Sequence, residues 1–277
     1  MSDFVDLEEI GHGAFATVSK CRRTRDGSLF AKKQLLPDVS EESVARFKKE
    51  VNWLYRTDHV NIVRVIGKRV GGEPPYFCVM PLYAGSLAER IGELSVVQQL
   101  NVFADILEGV HHAHQKGVIH RDLKMENVLV RNGGPAVVSD FGIGMWALDP
   151  DWARLTLANQ KLGTPAYMAP EQLRDARMAD HRSDIFSLGR ILAEMRRRWS
   201  PVEGGSSEAN WRQTVENIAA RCTEPEPAAR FQSVAELRDA WQDVHPADAG
   251  EWAFDPTGGA LGLPTALTGE HRSTRGQ

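Results

Sequence analysis

At Gly85 the hydrophobic pattern of this chain changes period, and that change limits the folds open to it. Before it, short apolar runs are separated by turns, as strands are: Val5-Asp6-Leu7, Ala16-Thr17-Val18, Leu29-Phe30-Ala31, Ile62-Val63-Arg64-Val65-Ile66 and Tyr76-Phe77-Cys78-Val79-Met80. Asp26-Gly27 and Gly71-Gly72, the latter followed by Pro74-Pro75, supply the turn chemistry. One helix interrupts the strands. Ser40 caps it, Glu41 and Glu42 suit its N-terminus, and Val44, Phe47, Val51 and Leu54 form one apolar face. After Gly85 the spacing is mainly helical. Ser95 and Gln98 read as a capping box, and Leu100, Phe103, Ala104, Leu107, Val110 and His114 continue its apolar side. Further helices are expected over about 184–198, 211–222 and 233–244, the last capped by Ser233 and Glu236. The expected class is α+β: a small antiparallel β-sheet with one helix over about 1–80, then a larger, mainly helical part over about 84–245. Residues 246–277, rich in Gly, Thr, Ala and Pro, have no periodicity and read as a flexible C-terminal tail.

Composition narrows the setting. Hydrophobic residues make up 42% of 277, enough for a sizeable core. A net charge of −4 gives no reason to expect nucleic acid as a partner. Cys21, Cys78 and Cys222 show no paired spacing, which fits a reducing, cytoplasmic compartment better than a disulfide framework or a zinc site. The acidic N-terminus does not read as a signal peptide, and no run approaches the roughly 18–20 apolar residues of a membrane span.

The chemistry concentrates in two loops. Val118-Ile119-His120-Arg121-Asp122-Leu123-Lys124-Met125-Glu126-Asn127-Val128-Leu129 sets Asp, Lys and Asn in one loop anchored by apolar residues on both sides. Val137-Val138-Ser139-Asp140-Phe141-Gly142 follows, another apolar strand ending in Asp. Asn127 and Asp140 are hard oxygen ligands suited to Mg²⁺ carrying a nucleotide. Asp122 can accept or orient a hydroxyl, and Lys124 can steady a transferring phosphoryl group. Any one of these could be a turn residue; together, bracketed by strands, they are hard to explain as turns. Gly11-His12-Gly13 lies between two expected strands, where glycines let a backbone fold closely over phosphates. Alone it is weak evidence and would better suit a plain hairpin turn. Lys33 on a strand could project into the same cleft, and Glu50, beside the helical face at Val51 and Leu54, could pair with it. Each of the two also reads as an ordinary surface charge.

Taken in order, these pieces resemble the eukaryotic-type (Hanks-type) serine/threonine protein kinase family and its bacterial members: the glycine loop, Ala31-x-Lys33, Glu50, His120-Arg121-Asp122-x-x-x-x-Asn127, Asp140-Phe141-Gly142 and Ala169-Pro170-Glu171. The resemblance covers about residues 5–245. It implies a two-lobed protein kinase fold within residues 1–245, with an N-lobe of about 1–80, a hinge at 81–83 and a C-lobe of 84–245. It implies transfer of the ATP γ-phosphate to Ser or Thr hydroxyls of protein substrates, with Mg²⁺ or Mn²⁺ as the ion. Carried over by position, Asp122 is the catalytic-loop base, Lys124 assists transfer, Lys33 holds the α/β-phosphates and Glu50 pairs with Lys33. Asn127 and Asp140 take the metal. Ile10, Gly11, Gly13 and Phe15 cover the nucleotide, Val18, Ala31 and Leu129 sandwich adenine, and Met80 is the gatekeeper. Pro81 offers its carbonyl and Tyr83 its N–H to the adenine edge. Lys124 and the stretch from Gly163 to Glu171 resemble the Ser/Thr branch. Glu171 is expected to pair with Arg230, and Asp184 to bind backbone N–H groups of the catalytic loop.

Arg121 suggests regulation by a phosphate, with Thr156 as the candidate acceptor, while Thr164 is expected to contact Asp122 and Lys124. Residues 195–211 are short where relatives carry another helix, and residues 142–163 are long and unusual. His111-His112-x-His114 reads as helix surface and core, not as a metal cluster. Arg196-Arg197-Arg198 reads as a helix end favoured by its dipole. The rival reading is a pseudokinase, a nucleotide-binding scaffold, whose usual mark is loss of residues that are all present here. Oligomeric state and physiological substrate are not legible in the sequence.

Overall fold

A computed structural model of the chain describes residues 3–131, 134–141, 166–175, 178–200 and 206–244. The alternating N-terminal third forms five strands: β1 (Phe4–His12), β2 (Ala16–Arg23), β3 (Leu29–Leu35), β4 (Gly67–Arg69) and β5 (Phe77–Pro81). They pair antiparallel in the order β1-β2-β3-β5-β4. Helix α1 (Glu41–Arg56) begins where Ser40 Oγ accepts the Ser43 N–H, with both glutamates in its first turn. It buries Phe47, Val51 and Leu54.

The C-terminal lobe starts with the two-residue strand β6 (Gly85–Ser86), α2 (Leu87–Arg90) and the long α3 (Val96–Gln115). The expected capping box opens α3: Gln98 N–H donates to Ser95 Oγ and Ser95 N–H to Gln98 Oε1. Strands β7 (Val128–Arg131) and β8 (Gly134–Val138) join β6 in a second small sheet. Helices α4 (Pro170–Arg174), α5 (His181–Arg197), α6 (Ser206–Cys222) and α7 (Val234–Trp241) complete the described part. Helix α5 starts three residues before the expected Asp184, because Asp180 caps it by accepting the Arg182 N–H. Helix α6 starts at Ser206, ahead of the expected Trp211. Trp241 of α7 packs its ring 4.6 Å from that of Phe103 in α3, tying the last helix to the lobe's centre. The result is the two-lobed arrangement, one antiparallel sheet with its helix above a mainly helical body.

One expectation is corrected. Ile62-Val63-Arg64-Val65-Ile66 is extended but is not a strand of the sheet, which it joins only from Gly67. Its first hydrogen bonds go to the other lobe, with Val63 N–H donating to Val138 O and Val138 N–H to Asn61 O, each at 2.9 Å; only Ile66, at its end, donates back to the sheet, to Val79 O at 2.8 Å. The run is apolar because Ile62, Val63 and Val65 are buried where the lobes meet. It fits there because α3 carries Gly109 opposite it; a Cβ at that position would stand 2.5 Å from Asn61 O.

Candidate active site

The sheet register assembles the upper wall of the cleft. Val18 pairs with Lys33, and Ala31 pairs with Met80. With side chains alternating along a strand, all four share one face of the sheet. Cys78, opposite Lys33, shares it too, and burial pushes its thiol up to about 12. Ala31 and Met80 are buried, Val18 and Leu129 half-buried. Ile10 and Phe15, flanking the glycine loop, are 49% and 43% exposed, open to a ligand on that side. Tyr83 is held by Arg131, whose guanidinium lies 5.3 Å from the ring centre and whose Nη2 donates to the hydroxyl at 3.4 Å.

Lys33 reaches Asp140 at 2.7 Å and Glu50 at 3.8 Å. Burial alone would lower the Lys33 pKa; the charges of Asp140 and Glu50 reverse this and hold it above its ordinary range. Burial pushes Glu50 up to about 7, against the pull of Lys33. Asp140 stays below its usual value, since Lys33 outweighs the burial penalty. The charge of Lys124 also acts on Asp140, linking this pair to the catalytic loop.

Within that loop, Lys124 Nζ lies 3.0 Å from Asp122 Oδ2. Asn127 Nδ2 donates to Asp122 O at 2.8 Å and to Asp122 Oδ2 at 3.2 Å. The amide nitrogen of Asn127 is thereby committed to Asp122, and its carbonyl oxygen is the end suited to a cation. The Asn127 backbone carbonyl accepts from Ser139 N–H and Ser139 Oγ, which fixes the approach to Asp140.

Two residues near the site are strained. Arg121 has φ +66° and Asp140 φ +55°, the non-glycine residues with positive φ among those described. Such backbone costs a non-glycine residue about 1–2 kcal/mol, so each needs its surroundings. For Arg121 the support is visible. Buried Asp184 accepts the N–H groups of His120 and Arg121, both at 2.8 Å, and bonds His114 Nε2 at 2.7 Å. Burial opposes ionisation of Asp184, but the His114 bond and the backbone donors keep it below its ordinary value. His120 is fully buried. Its Nε2 donates to Ser139 O at 2.9 Å, its Nδ1 accepts the Asp122 N–H at 3.3 Å, and its ring packs 4.7 Å from Phe141. Trp53 of α1 covers Phe141 at 4.8 Å.

Arg230 and Glu171 form a buried two-pronged pair at 2.7 and 2.8 Å. Ser183 Oγ donates to Glu171 as well, and Arg230 also donates to the carbonyls of Arg182, Glu224 and Pro225. Next to Glu171, Gln172 donates through Nε2 to Arg121 O at 3.0 Å and accepts the Ala169 N–H at 3.2 Å.

The structure thus brings Lys33, Glu50, Asp122, Lys124, Asn127 and Asp140 to one cleft. Thr156, Thr164 and the 246–277 tail lie outside the described residues. Sequence reasoning missed Gln172 and Trp53, and gave His114 only a packing role. Trp53 gave no periodic signal, because one residue before Leu54 it lies about 100° round the helix from the apolar face of α1. Arg196 and Arg198 are engaged locally, with Glu216 and Glu194.

A model of the protein kinase domain matches residues 4–245. The chain is 34% identical over 212 residues to the DNA damage-responsive serine/threonine-protein kinase RqkA of Deinococcus radiodurans, covering 73% of this chain and 31% of the relative. It is 32% identical over 230 residues to the serine/threonine-protein kinase PrkC of Bacillus subtilis, covering 75% and 35%. It is 32% identical over 224 residues to the probable serine/threonine-protein kinase PknB of Bifidobacterium longum, covering 76% and 32%. The chain spans about a third of the length of these relatives.

Proposed function

This chain belongs to the protein kinase family, and from that premise we propose that it transfers the γ-phosphoryl group of ATP to serine or threonine hydroxyls of protein substrates. The observation that carries the reading is the joint placement of the Lys33–Asp140 pair and the Asp122–Lys124–Asn127 cluster in one cleft. The Ser/Thr preference draws support from Lys124 and from the names of the bacterial relatives.

In this reading Asp122 orients the acceptor hydroxyl and takes its proton, while Lys124 offsets charge on the transferring group. Lys33 holds the α/β-phosphates, and Glu50 receives Lys33 when Asp140 turns to a cation. Ile10, Gly11, Gly13 and Phe15 close over the nucleotide. Val18, Ala31, Leu129 and Met80 enclose adenine, with Pro81 O and Tyr83 N–H at its edge. Asn127 and Asp140 fit Mg²⁺ or Mn²⁺: the Asn127 amide nitrogen is used on Asp122, and the Asp140 side chain is 49% exposed. Among the described residues no group of three His, Cys, Asp or Glu could hold an ion by itself. Two oxygen donors therefore suit an ion whose other ligands are phosphate and water. Bound there, the ion supplies neutralisation of phosphate charge. Catalysis by the chain is then mainly positioning and electrostatics.

We place the catalytic domain at 1–245, with a hinge at 81–83 and the tail after 245. Thr156 is the proposed autophosphorylation site and Arg121 its receptor; Thr164 would contact Asp122 and Lys124. A reducing, cytoplasmic setting suits three free, buried cysteines. No described helix is long and apolar enough to cross a membrane.

The test is ATP turnover and autophosphorylation with Mg²⁺, wild type beside Asp122→Ala and Lys33→Ala. The expected result is transfer by the wild type and its loss in both variants. Equal transfer by all three, or binding of ATP without transfer by the wild type, would overturn the assignment, the second in favour of a nucleotide-binding scaffold.

A further inference from the structure

The three peptide groups that lead into Asp122 are each held by a named partner. The N–H groups of His120 and Arg121 both go to Asp184. The third peptide group, joining Arg121 to Asp122, is held at both edges. Its N–H donates to His120 Nδ1 at 3.3 Å, and its carbonyl accepts from Gln172 Nε2 at 3.0 Å. That carbonyl belongs to Arg121, the residue with φ +66°. Its orientation is unusual and depends on what it meets.

Gln172 is 8% exposed. It reaches from a fixed platform, since neighbouring Glu171 is locked by Arg230 and Ser183. Its other end, Oε1, accepts the Ala169 N–H, so one amide spans the catalytic loop and the start of α4. The segment just before α4 is anchored to α5: Arg190 Nε donates to Ala166 O at 2.7 Å, and Ser187 Oγ to Tyr167 O at 2.9 Å.

We propose that Gln172 is a positioning residue for phosphoryl transfer. It sets the plane of the Arg121–Asp122 peptide, hence the aim of the Asp122 carboxylate, and couples that aim to the seating of residues 166–169. The inference rests on the kinase reading and deepens it. Only a side chain with a donor and an acceptor makes both bonds. A carboxylate still accepts from Ala169 but turns an oxygen toward the Arg121 carbonyl. A role limited to capping α4 therefore tolerates Gln172→Glu; a positioning role does not.

The experiment measures steady-state ADP release by the full chain with MgATP and casein, for wild type, Gln172→Glu and Gln172→Met. The KM for ATP and the melting temperature are read in parallel. For both variants kcat falls about tenfold or more, the effect of one lost buried hydrogen bond, while KM for ATP stays within about twofold. A protonated glutamic acid regains a donor. The kcat of Gln172→Glu relative to wild type therefore rises as pH is lowered toward the carboxyl pKa, and that of Gln172→Met does not. If Gln172→Met fails to fold, the pH response of Gln172→Glu decides alone. Wild-type kcat in Gln172→Glu, or a loss that follows melting temperature without pH recovery, would overturn the inference and leave the kinase reading standing. An inactive wild type would defeat that reading, and this inference with it.

Discussion

Lys33 gives its short contact to Asp140, at 2.7 Å, and leaves Glu50 at 3.8 Å. One cation thus serves two carboxylates. Replacing Lys33 by Met strands Glu50, whose side chain is 16% exposed. Removing one partner of a buried pair costs about 3–5 kcal/mol, an upper bound here because Asp140 is half open. Lys33→Met is expected to abolish transfer and lower the melting temperature. The double variant Lys33→Met/Glu50→Gln should recover most of the temperature and none of the activity. Thermal melts and ADP release on the four members of the cycle check this.

Arg230 makes a different kind of pair. Its guanidinium is fully buried and meets Glu171 and three backbone carbonyls. A lysine ammonium lacks the planar fork that reaches all of them. Arg230→Lys is expected to destabilise the fold by about 2–4 kcal/mol, seen as a lower denaturation midpoint at unchanged slope.

Asp184 supports the loop from beneath. Asp184→Asn replaces one acceptor oxygen by an NH₂ group facing a backbone N–H. Charge-assisted bonds of this type contribute about 1.5–3 kcal/mol each. Amide exchange at His120 and Arg121 should then accelerate by roughly 10–100-fold, with kcat falling in parallel. Unchanged protection at both amides would remove the proposed support.

His59 gives the fold an acid sensitivity. Burial, helped by the nearby His112, His111 and Arg238, lowers its pKa to about 4, and its ring stacks 4.5 Å from that of His112. A folded pKa below the unfolded one means the unfolded chain binds the proton more readily. The contribution of His59 is complete above about pH 6.5 and is lost as pH falls toward about 4. His59→Gln should therefore flatten the decline in melting temperature across that window while changing little above it.

Much of this was legible because the chemistry lies along short stretches. Asp122, Lys124 and Asn127 share one loop, and with Asp140 a short strand later they are hard to explain as turn residues. The pairing of Lys33 with Glu50 was legible too, but the shorter bond to Asp140 was not, because it joins residues 107 positions apart in different lobes. Ile62–Ile66 misled because alternation reports an extended, buried backbone without saying which lobe accepts its hydrogen bonds. Gln172 gave no signal: a glutamine in the first turn of a helix is ordinary, and its target lies 51 positions earlier.

The segment from Asn61 to Ile66 also bears on how the cleft opens. It leads into β4, yet Asn61 is tied to Asp105 of α3 at 2.7 Å and Val63 to Val138 of β8. Up to Val65 it therefore belongs with the lower body, while Ile66, bonded to Val79 O, already belongs to the sheet. The sheet with α1 is joined to that body by three chain crossings: residues 57–60, the Val65–Ile66 junction and residues 81–83. A chain that crosses three times leaves the sheet less freedom to turn than a single hinge would, so the gap between the glycine loop and Asp122 is set by how these three short connections bend together.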